Sequence, residues 1–264
     1  MGIFINIDNL MKTIFFTLTL FLFSSYSFSK SYVLHPNIAF NNLKGVDKNL
    51  QSLDVYTPNK PALKNLPVIV YIHGGAWRAG DKVQPQSSHY KHFTKQGYIF
   101  VSVNYRLSPK PGETDWLKPD RIKTPTHAYD VAKAVAWTID NINRYGGNPN
   151  GISIMGHSAG AHLAMLVSTN ETFLNEYGKF TSQLKCACSL DIAALNIPLL
   201  IKTVPKPIIS TLENAFGSEP ELWEEASPTL QITKDEVLPE FLLIHRNQKM
   251  VEDQNVMMLE TLIK

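Results

Sequence analysis

The most informative segment of the sequence is Ile152-Ser-Ile-Met-Gly-His-Ser-Ala-Gly-Ala-His-Leu-Ala-Met-Leu166. Its first four residues are typical of a buried strand, and the residues after the second glycine favour a helix. Between them lies Gly156-His-Ser-Ala-Gly160, where small residues let the backbone turn sharply from strand to helix. Such a turn presents a serine hydroxyl at the edge of a sheet, beside the positive end of a helix. We therefore predict that Ser158 is a catalytic nucleophile.

The flanking sequence predicts a mostly parallel sheet. Apolar residues recur at helical spacing over 127–143, and strands and helices alternate along the middle of the chain, which implies right-handed crossovers. An alternating run at 50–57 predicts an antiparallel edge strand, and the proline-rich residues 192–239 predict an irregular helical insertion over the C-terminal edge of the sheet. The predicted buried strands are 67–72, 98–103, 152–155, 186–190 and 241–244.

A second motif, His73-Gly-Gly-Ala-Trp77, directly follows the first buried strand. An acyl-transfer enzyme needs backbone N–H groups aimed at the oxyanion of its tetrahedral intermediate, and glycines let the main chain approach that position. We predict that the oxyanion hole is formed by the amides of Gly74, Gly75 and Ala159, the last being the residue after the nucleophile.

At these two motifs the chain resembles the α/β-hydrolase superfamily, and within it the carboxylesterases that carry His-Gly-Gly-x-Trp and Gly-His-Ser-Ala-Gly, among them feruloyl and acetylxylan esterases. The resemblance implies an α/β-hydrolase fold: a mostly parallel, doubly wound sheet with helices on both faces. It also implies hydrolysis of a small-molecule ester through an acyl-enzyme on Ser158, with no cofactor and no metal. Because kynurenine formamidases share both motifs, an arylformamidase-like amidase is the alternative.

The chain departs from the family pattern where the acid and the base are expected. After the strand at 241–244 no carboxylate occupies the usual position of the acid; Asp253 is the candidate, with capping of the last helix as the alternative explanation. The chain reaches Lys264 within the helix that precedes the family's last strand and histidine loop, so we expect a C-terminally incomplete domain, either truncated or vestigial and inactive. No catalytic histidine is found among the eight histidines, which are His35, His73, His89, His92, His127, His157, His162 and His245.

The N-terminus has the pattern of a secretory signal peptide. A short apolar run at 14–23 follows Lys12, small residues precede Lys30, and Met11 is a possible start, so we expect a signal peptide over 1–29, a hydrolase domain over 30–264 and a secreted or periplasmic protein. The apolar run is too short for a stable membrane span. The net charge of +2 gives no reason to expect nucleic acid as a partner.

Overall fold

The computed structural model describes residues 31–60, 63–83, 87–233 and 236–263, so the predicted signal peptide lies outside the described residues. Parallel strands with short apolar cores form the centre of the described chain. The strands are β1 (Tyr32–Ala39), β2 (Ser52–Pro58), β3 (Leu66–Ile72), β4 (Ile99–Val103), β5 (Gly147–His157), β6 (Leu184–Leu190) and β7 (Glu240–Ile244).

These strands form one sheet with the order β1-β2-β4-β3-β5-β6-β7. The pairs β1–β2 and β2–β4 are antiparallel, and the other neighbouring pairs are parallel. The strand that precedes Ser158, β5, lies between β3 and β6 near the middle of the sheet. The mostly parallel sheet confirms the predicted fold class.

Two details of the sheet correct the sequence prediction. The edge next to β2 is formed by β1, which was not predicted, so β2 is an interior strand rather than the edge. The register of β1 shifts between His35 and Ile38, and Asn37 has a φ of 55°. This bulge disrupts the alternation of apolar residues that normally indicates a strand, so the pattern at 32–39 is weak.

Helices cover both faces of the sheet. One face packs against α1, and the other packs against α2 and α3; short helices make up the predicted insertion at 192–239. None of the described helices has the length and apolar character required to cross a membrane. The helices are α1 (Ser87–Lys95), α2 (Thr126–Asn141), α3 (Ala159–Thr169), α4 (Thr172–Asn175), α5 (Ile197–Ile201), α6 (Lys206–Phe216), α7 (Pro220–Glu225), α8 (Pro228–Gln231) and α9 (Lys249–Leu262).

The N-terminus of α3 lies directly against the end of β3. A Cβ atom on Gly160 would overlap the carbonyl oxygens of Ile72 and His73, and a Cβ atom on Gly156 would overlap the backbone of Gly160. The two glycines of the G-x-S-x-G sequence are therefore required by close backbone approach. This contact fixes where β5 ends and where α3 begins.

Two histidines are fully buried between the sheet and its helices. His127, on α2, has Nε2 3.0 Å from Ser108 Oγ, and His162, on α3, has Nε2 2.7 Å from the carbonyl oxygen of Ala226. Burial lowers the pKa of His127 to about 3 and that of His162 to about 4. Both rings are therefore neutral in the folded protein at physiological pH.

We predict that Gly160→Ala strongly destabilises the fold, because the added methyl group meets backbone atoms that cannot move without shifting α3 from β3. Overpacking of this kind costs about 1–3 kcal/mol or more. Thermal unfolding measures the effect. Gly151→Ala is the matched control, since its Cβ would meet only ordinary contacts at 3.4 Å; equal melting temperatures for the two variants would contradict the prediction.

We also predict that the melting temperature falls between pH 7.5 and 5.5. In the unfolded chain His127 and His162 take up protons near the ordinary pKa of 6.5, whereas in the folded protein their pKa values lie near 3 and 4. The unfolded state binds more protons in this range, so each ring lowers stability by about 1.4 kcal/mol at pH 5.5. Thermal unfolding should show a shallower dependence in His127→Gln, and a flat profile in the wild type would refute the assignment.

Candidate active site

Ser158 occupies the turn between β5 and α3. Its φ of 53° and ψ of −124° are strained for a residue with a side chain. The strain is held by the backbone: the Ser158 amide donates to the carbonyl oxygen of Leu190 at 2.9 Å, and its carbonyl accepts from the His162 amide at 3.1 Å. The residue is half-buried, and its hydroxyl makes no hydrogen bond to any described residue. The geometry is that of a strand-to-helix turn that presents a serine at the sheet edge.

The His73–Trp77 loop lies against this turn. A Cβ atom on Gly74 would be 3.1 Å from Ser158 Cβ and 2.8 Å from the carbonyl oxygen of His157, so a side chain at Gly74 has no room. The structure therefore brings the two sequence motifs into contact. Within the described part of the chain, the amides of Gly74, Gly75 and Ala159 make no hydrogen bonds, which leaves them available to an oxyanion.

The backbone of this loop is itself strained. Gly75, Ala76 and Trp77 have φ values of 125°, 53° and 59°, of which only the first is at a glycine. The loop closes through hydrogen bonds from the amides of Arg78 and Ala79 to the carbonyl oxygen of Gly75. The Ser108 amide donates to the Trp77 carbonyl oxygen at 2.8 Å, and the Trp77 indole is buried.

A cavity of about 400 Å³ adjoins Ser158 and the loop. Two buried polar atoms in its wall, Tyr71 Oη and His73 Nε2, have no hydrogen-bond partner among the described residues. Burial lowers the pKa of His73 and raises that of Tyr71, so both rings are neutral. The lining consists of Tyr71, His73, Gly74, Gly75, Ala79, Gly80, Asp81, Ser102, His157 and Ser158.

A buried polar network supports the loop from the side of β2 and β4. The Lys82 ammonium donates to Asn37 Oδ1 at 2.9 Å and to Asn49 Oδ1 at 2.7 Å, and it lies 3.7 Å from the Asp54 carboxylate. Asn104 accepts from the Lys82 amide at 2.6 Å. Burial of the Asp54 carboxylate raises its pKa, and this effect exceeds the opposing effects of the Asn37 amide and Lys82.

The network also fixes the turn at Gly80 and Asp81. Asp81 accepts from the side chains of Asn49 and Asn104 and from the Val83 amide. Burial alone would raise the pKa of Asp81, but these hydrogen bonds lower it, so the carboxylate is ionised. Gly80 lies so close to His73 Nδ1 that a Cβ atom would overlap it.

The structure does not bring Asp253 to Ser158. Asp253 is exposed, lies outside the cavity lining, and pairs with Lys249 at 2.6 Å on the surface of α9. It is not a helix cap either, because the N-cap residue is Gln248. The capping explanation is therefore wrong for Asp253. Its side chain instead forms a surface ion pair with Lys249, one helical turn earlier on α9.

A carboxylate that sequence analysis missed lies nearer to the turn. Asp191 directly follows β6, whose last residue, Leu190, accepts from the Ser158 amide. Asp191 accepts from the Arg246 amide at 3.1 Å and pairs with the Arg246 guanidinium. The sequence does contain an indication of Asp191, because this residue directly follows a buried strand and therefore lies at the same edge of the sheet as Ser158.

None of the described histidines hydrogen-bonds to Ser158. His245 is exposed, and its Nδ1 lies 3.0 Å from the carbonyl oxygen of Arg246. His127 and His162 are buried away from solvent, as the fold requires. No group of three or more side chains among the described residues has the arrangement of a metal site.

A larger cavity, of about 850 Å³, lies between β7 and α9. Its wall is mainly apolar, with Phe241, Leu259 and Leu262, and it contains no serine, cysteine or histidine. Its polar side chains are those of Thr233, Glu236 and Thr261. The smaller cavity at Ser158 is the candidate active site.

Comparison with known proteins agrees with this geometry. The BD-FAE family matches residues 53–262, which include β2 to α9 and both motifs. Two relatives from Mycobacterium tuberculosis are the esterase LipC, 25% identical over 78% of this chain, and the probable carboxylic ester hydrolase LipM, 29% identical over 76%. The chain spans about half the length of these curated relatives, 50% and 46% respectively.

A solved structure shares the fold. Esterase B from Lactobacillus rhamnosis superposes with a TM-score of 0.70 at 19% identity, covering 97% of this chain and 78% of that chain. The predicted α/β-hydrolase fold and the predicted resemblance to carboxylesterases are both confirmed. The match over 53–262 establishes that the chain belongs to the BD-FAE family of α/β-hydrolase-type esterases.

Proposed function

We propose that the chain hydrolyses a small-molecule carboxylic ester through an acyl-enzyme on Ser158. The observation that carries the proposal is the contact of Gly74 with Ser158, which brings a loop whose Gly74 and Gly75 amides make no hydrogen bond to a described residue against one strained serine. The names of LipC and LipM, an esterase and a probable carboxylic ester hydrolase, support the reaction class. The family's His-Gly-Gly and Gly-His-Ser-Ala-Gly motifs support the serine mechanism.

The chemistry follows from the positions of these groups. Ser158 Oγ attacks the ester carbonyl, and the carbonyl oxygen becomes an oxyanion that accepts hydrogen bonds from the amides of Gly74, Gly75 and Ala159. The proton that Ser158 loses passes to the departing alkoxide, which leaves as the alcohol, and a proton of the attacking water later returns to Ser158 Oγ. Collapse of this intermediate expels the alcohol and leaves an acyl-enzyme. Water then attacks the acyl group and releases the acid. The partial positive charge at the N-terminus of α3 favours the oxyanion in both steps.

A vestigial hydrolase is the second candidate, because none of the described residues hydrogen-bonds to Ser158 Oγ. Loss of the histidine from a working serine triad lowers kcat about 10⁶-fold, although the oxyanion hole and substrate binding remain. Such a protein would bind esters without turning them over. The two candidates therefore differ in whether Ser158 is activated.

We predict that a fluorophosphonate labels the folded protein covalently and that Ser158→Ala abolishes the labelling, because the reagent reacts only with an activated serine. Mass spectrometry of the intact protein measures the adduct. Ser189→Ala is the matched control, since Ser189 is a buried serine at the end of the neighbouring strand β6. A folded wild type that stays unlabelled would exclude the esterase proposal and favour the vestigial hydrolase.

The same samples distinguish an esterase from an arylformamidase-like amidase. We expect p-nitrophenyl acetate to be hydrolysed faster than N-formylaniline, because p-nitrophenolate is a much better leaving group than the aniline nitrogen. The reverse order would favour the amidase. In either case Ser158→Ala must remove the activity.

We further propose that the protein is exported, secreted or periplasmic, and that its signal peptide is cleaved before Lys30. The apolar run at 14–23, preceded by Lys12 and followed by small residues, supports this. We predict that the protein recovered from the periplasm or medium of a bacterial host begins at Lys30, as determined by N-terminal sequencing. Replacing two leucines of the run with arginine should keep the protein in the cytoplasm; export of that variant would contradict the proposal.

A further inference from the structure

His162 lies one helical turn after Ser158, on α3, and its ring is fully buried. Nδ1 accepts from the Trp77 indole N–H at 3.3 Å, and Nε2 lies 2.7 Å from the carbonyl oxygen of Ala226. Because an indole N–H only donates and a carbonyl oxygen only accepts, the ring is neutral with its proton on Nε2. Burial lowers its pKa to about 4, which is consistent with that state.

Trp77 is one of the residues that fix the oxyanion loop, residues 73–77, to the rest of the protein. Its indole packs edge-on against the His162 ring, with centroids 5.3 Å apart, and against Phe216 at 4.7 Å. Both Trp77 and the preceding Ala76 have positive φ values, which residues with side chains adopt only when their surroundings impose it. The loop can therefore relax if the indole is released.

Ala226 links the same ring to the insertion. It caps α7, and its region packs on α3 through α8. His162 thus joins three parts of the chain: the loop that carries Gly74 and Gly75, the helix that begins beside Ser158, and the segment at 192–233. Each of its two ring nitrogens serves a different partner.

We propose that His162 is a positioning residue, which holds Trp77 and thereby keeps the amides of Gly74 and Gly75 beside Ser158. It takes no part in proton transfer. The inference rests on the proposed function, since it concerns the oxyanion hole of that same site. The alternative is that His162 only fills space in the core, and then its individual hydrogen bonds would not matter to the loop.

Four substitutions separate these possibilities. His162→Asn retains an acceptor near the position of Nδ1, and His162→Gln retains a donor near the position of Nε2 but loses the acceptor for Trp77. Trp77→Phe keeps an aromatic ring and removes the indole N–H. Trp223→Phe is the matched control, because it removes another indole hydrogen bond, to the Gly217 carbonyl oxygen at 2.8 Å, within the segment at 192–233 and not to the loop.

The first measurement does not require activity. Hydrogen exchange, followed by mass spectrometry of peptides covering residues 73–80, should be at least tenfold faster in His162→Gln and Trp77→Phe. In His162→Asn and Trp223→Phe it should match the wild type. The double variant His162→Gln with Trp77→Phe should exchange no faster than either single variant, because both remove the same bond.

The second measurement is the rate of fluorophosphonate labelling. Misplaced oxyanion donors should slow labelling about tenfold to a hundredfold in His162→Gln and Trp77→Phe. The maximal labelling rate should fall, whereas the reagent concentration that gives half of that rate should stay the same. A wild-type labelling rate in His162→Asn would show that loss of the hydrogen bond between Trp77 and His162 causes the slower labelling.

The labelling experiment and the exchange experiment test different claims. A wild type that is not labelled defeats the proposed function, while the exchange experiment still decides the role of His162. If His162→Gln and Trp77→Phe exchange like Trp223→Phe over residues 73–80, the positioning role is overturned. Equal acceleration in His162→Asn and His162→Gln would overturn it too, since that result indicates packing alone.

Discussion

Main-chain atoms of α3 lie against the carbonyl groups at the end of β3, with no side chain between them. This contact exists because residue 160 is a glycine, and it sets the distance between the strand that precedes the His73–Trp77 loop and the helix that begins after Ser158. Other features of the site depend on it. Gly74 can approach Ser158 only because the two backbones are already close, and Ser158 is held in its strained conformation only because β5 and α3 are fixed on either side.

The strained backbone at this edge of the sheet is stabilised by the buried side chains around it. Ser158, Ala76 and Trp77 all have positive φ values, and each such residue costs about 1–3 kcal/mol. The surroundings that impose these conformations are a packed indole on one side and the Lys82 network on the other. A lysine ammonium with no exposed surface is tolerated because Asn37, Asn49 and Asp54 satisfy it. These positive φ values are therefore imposed by packing and hydrogen bonds of the folded chain.

The sequence alone predicted the central sheet, the turn at Ser158 and the loop at Gly74, because each is encoded by a local pattern: a short apolar run, a pair of glycines or a helical repeat. It did not predict β1, whose bulge at Asn37 breaks the alternation. It also could not predict the Lys82 network, because its partners come from distant parts of the chain, as Asn37 and Asn49 do. Nor could it predict the partner of Asp253, because the position of a residue in the sequence does not determine where its side chain points on a helix; here it pairs with Lys249.

The partner of His162 in the insertion is a carbonyl group of the main chain, not a side chain. The segment from 192 to 233 is therefore recognised at this point by the course of its backbone. Side chains on its outer surface, such as the exposed Ile208 and Leu230, have no part in that recognition. Replacing them leaves the hydrogen bond between His162 and Ala226 in place. The position of the segment against α3 is thus specified at this point by a main-chain oxygen and not by the type of a side chain.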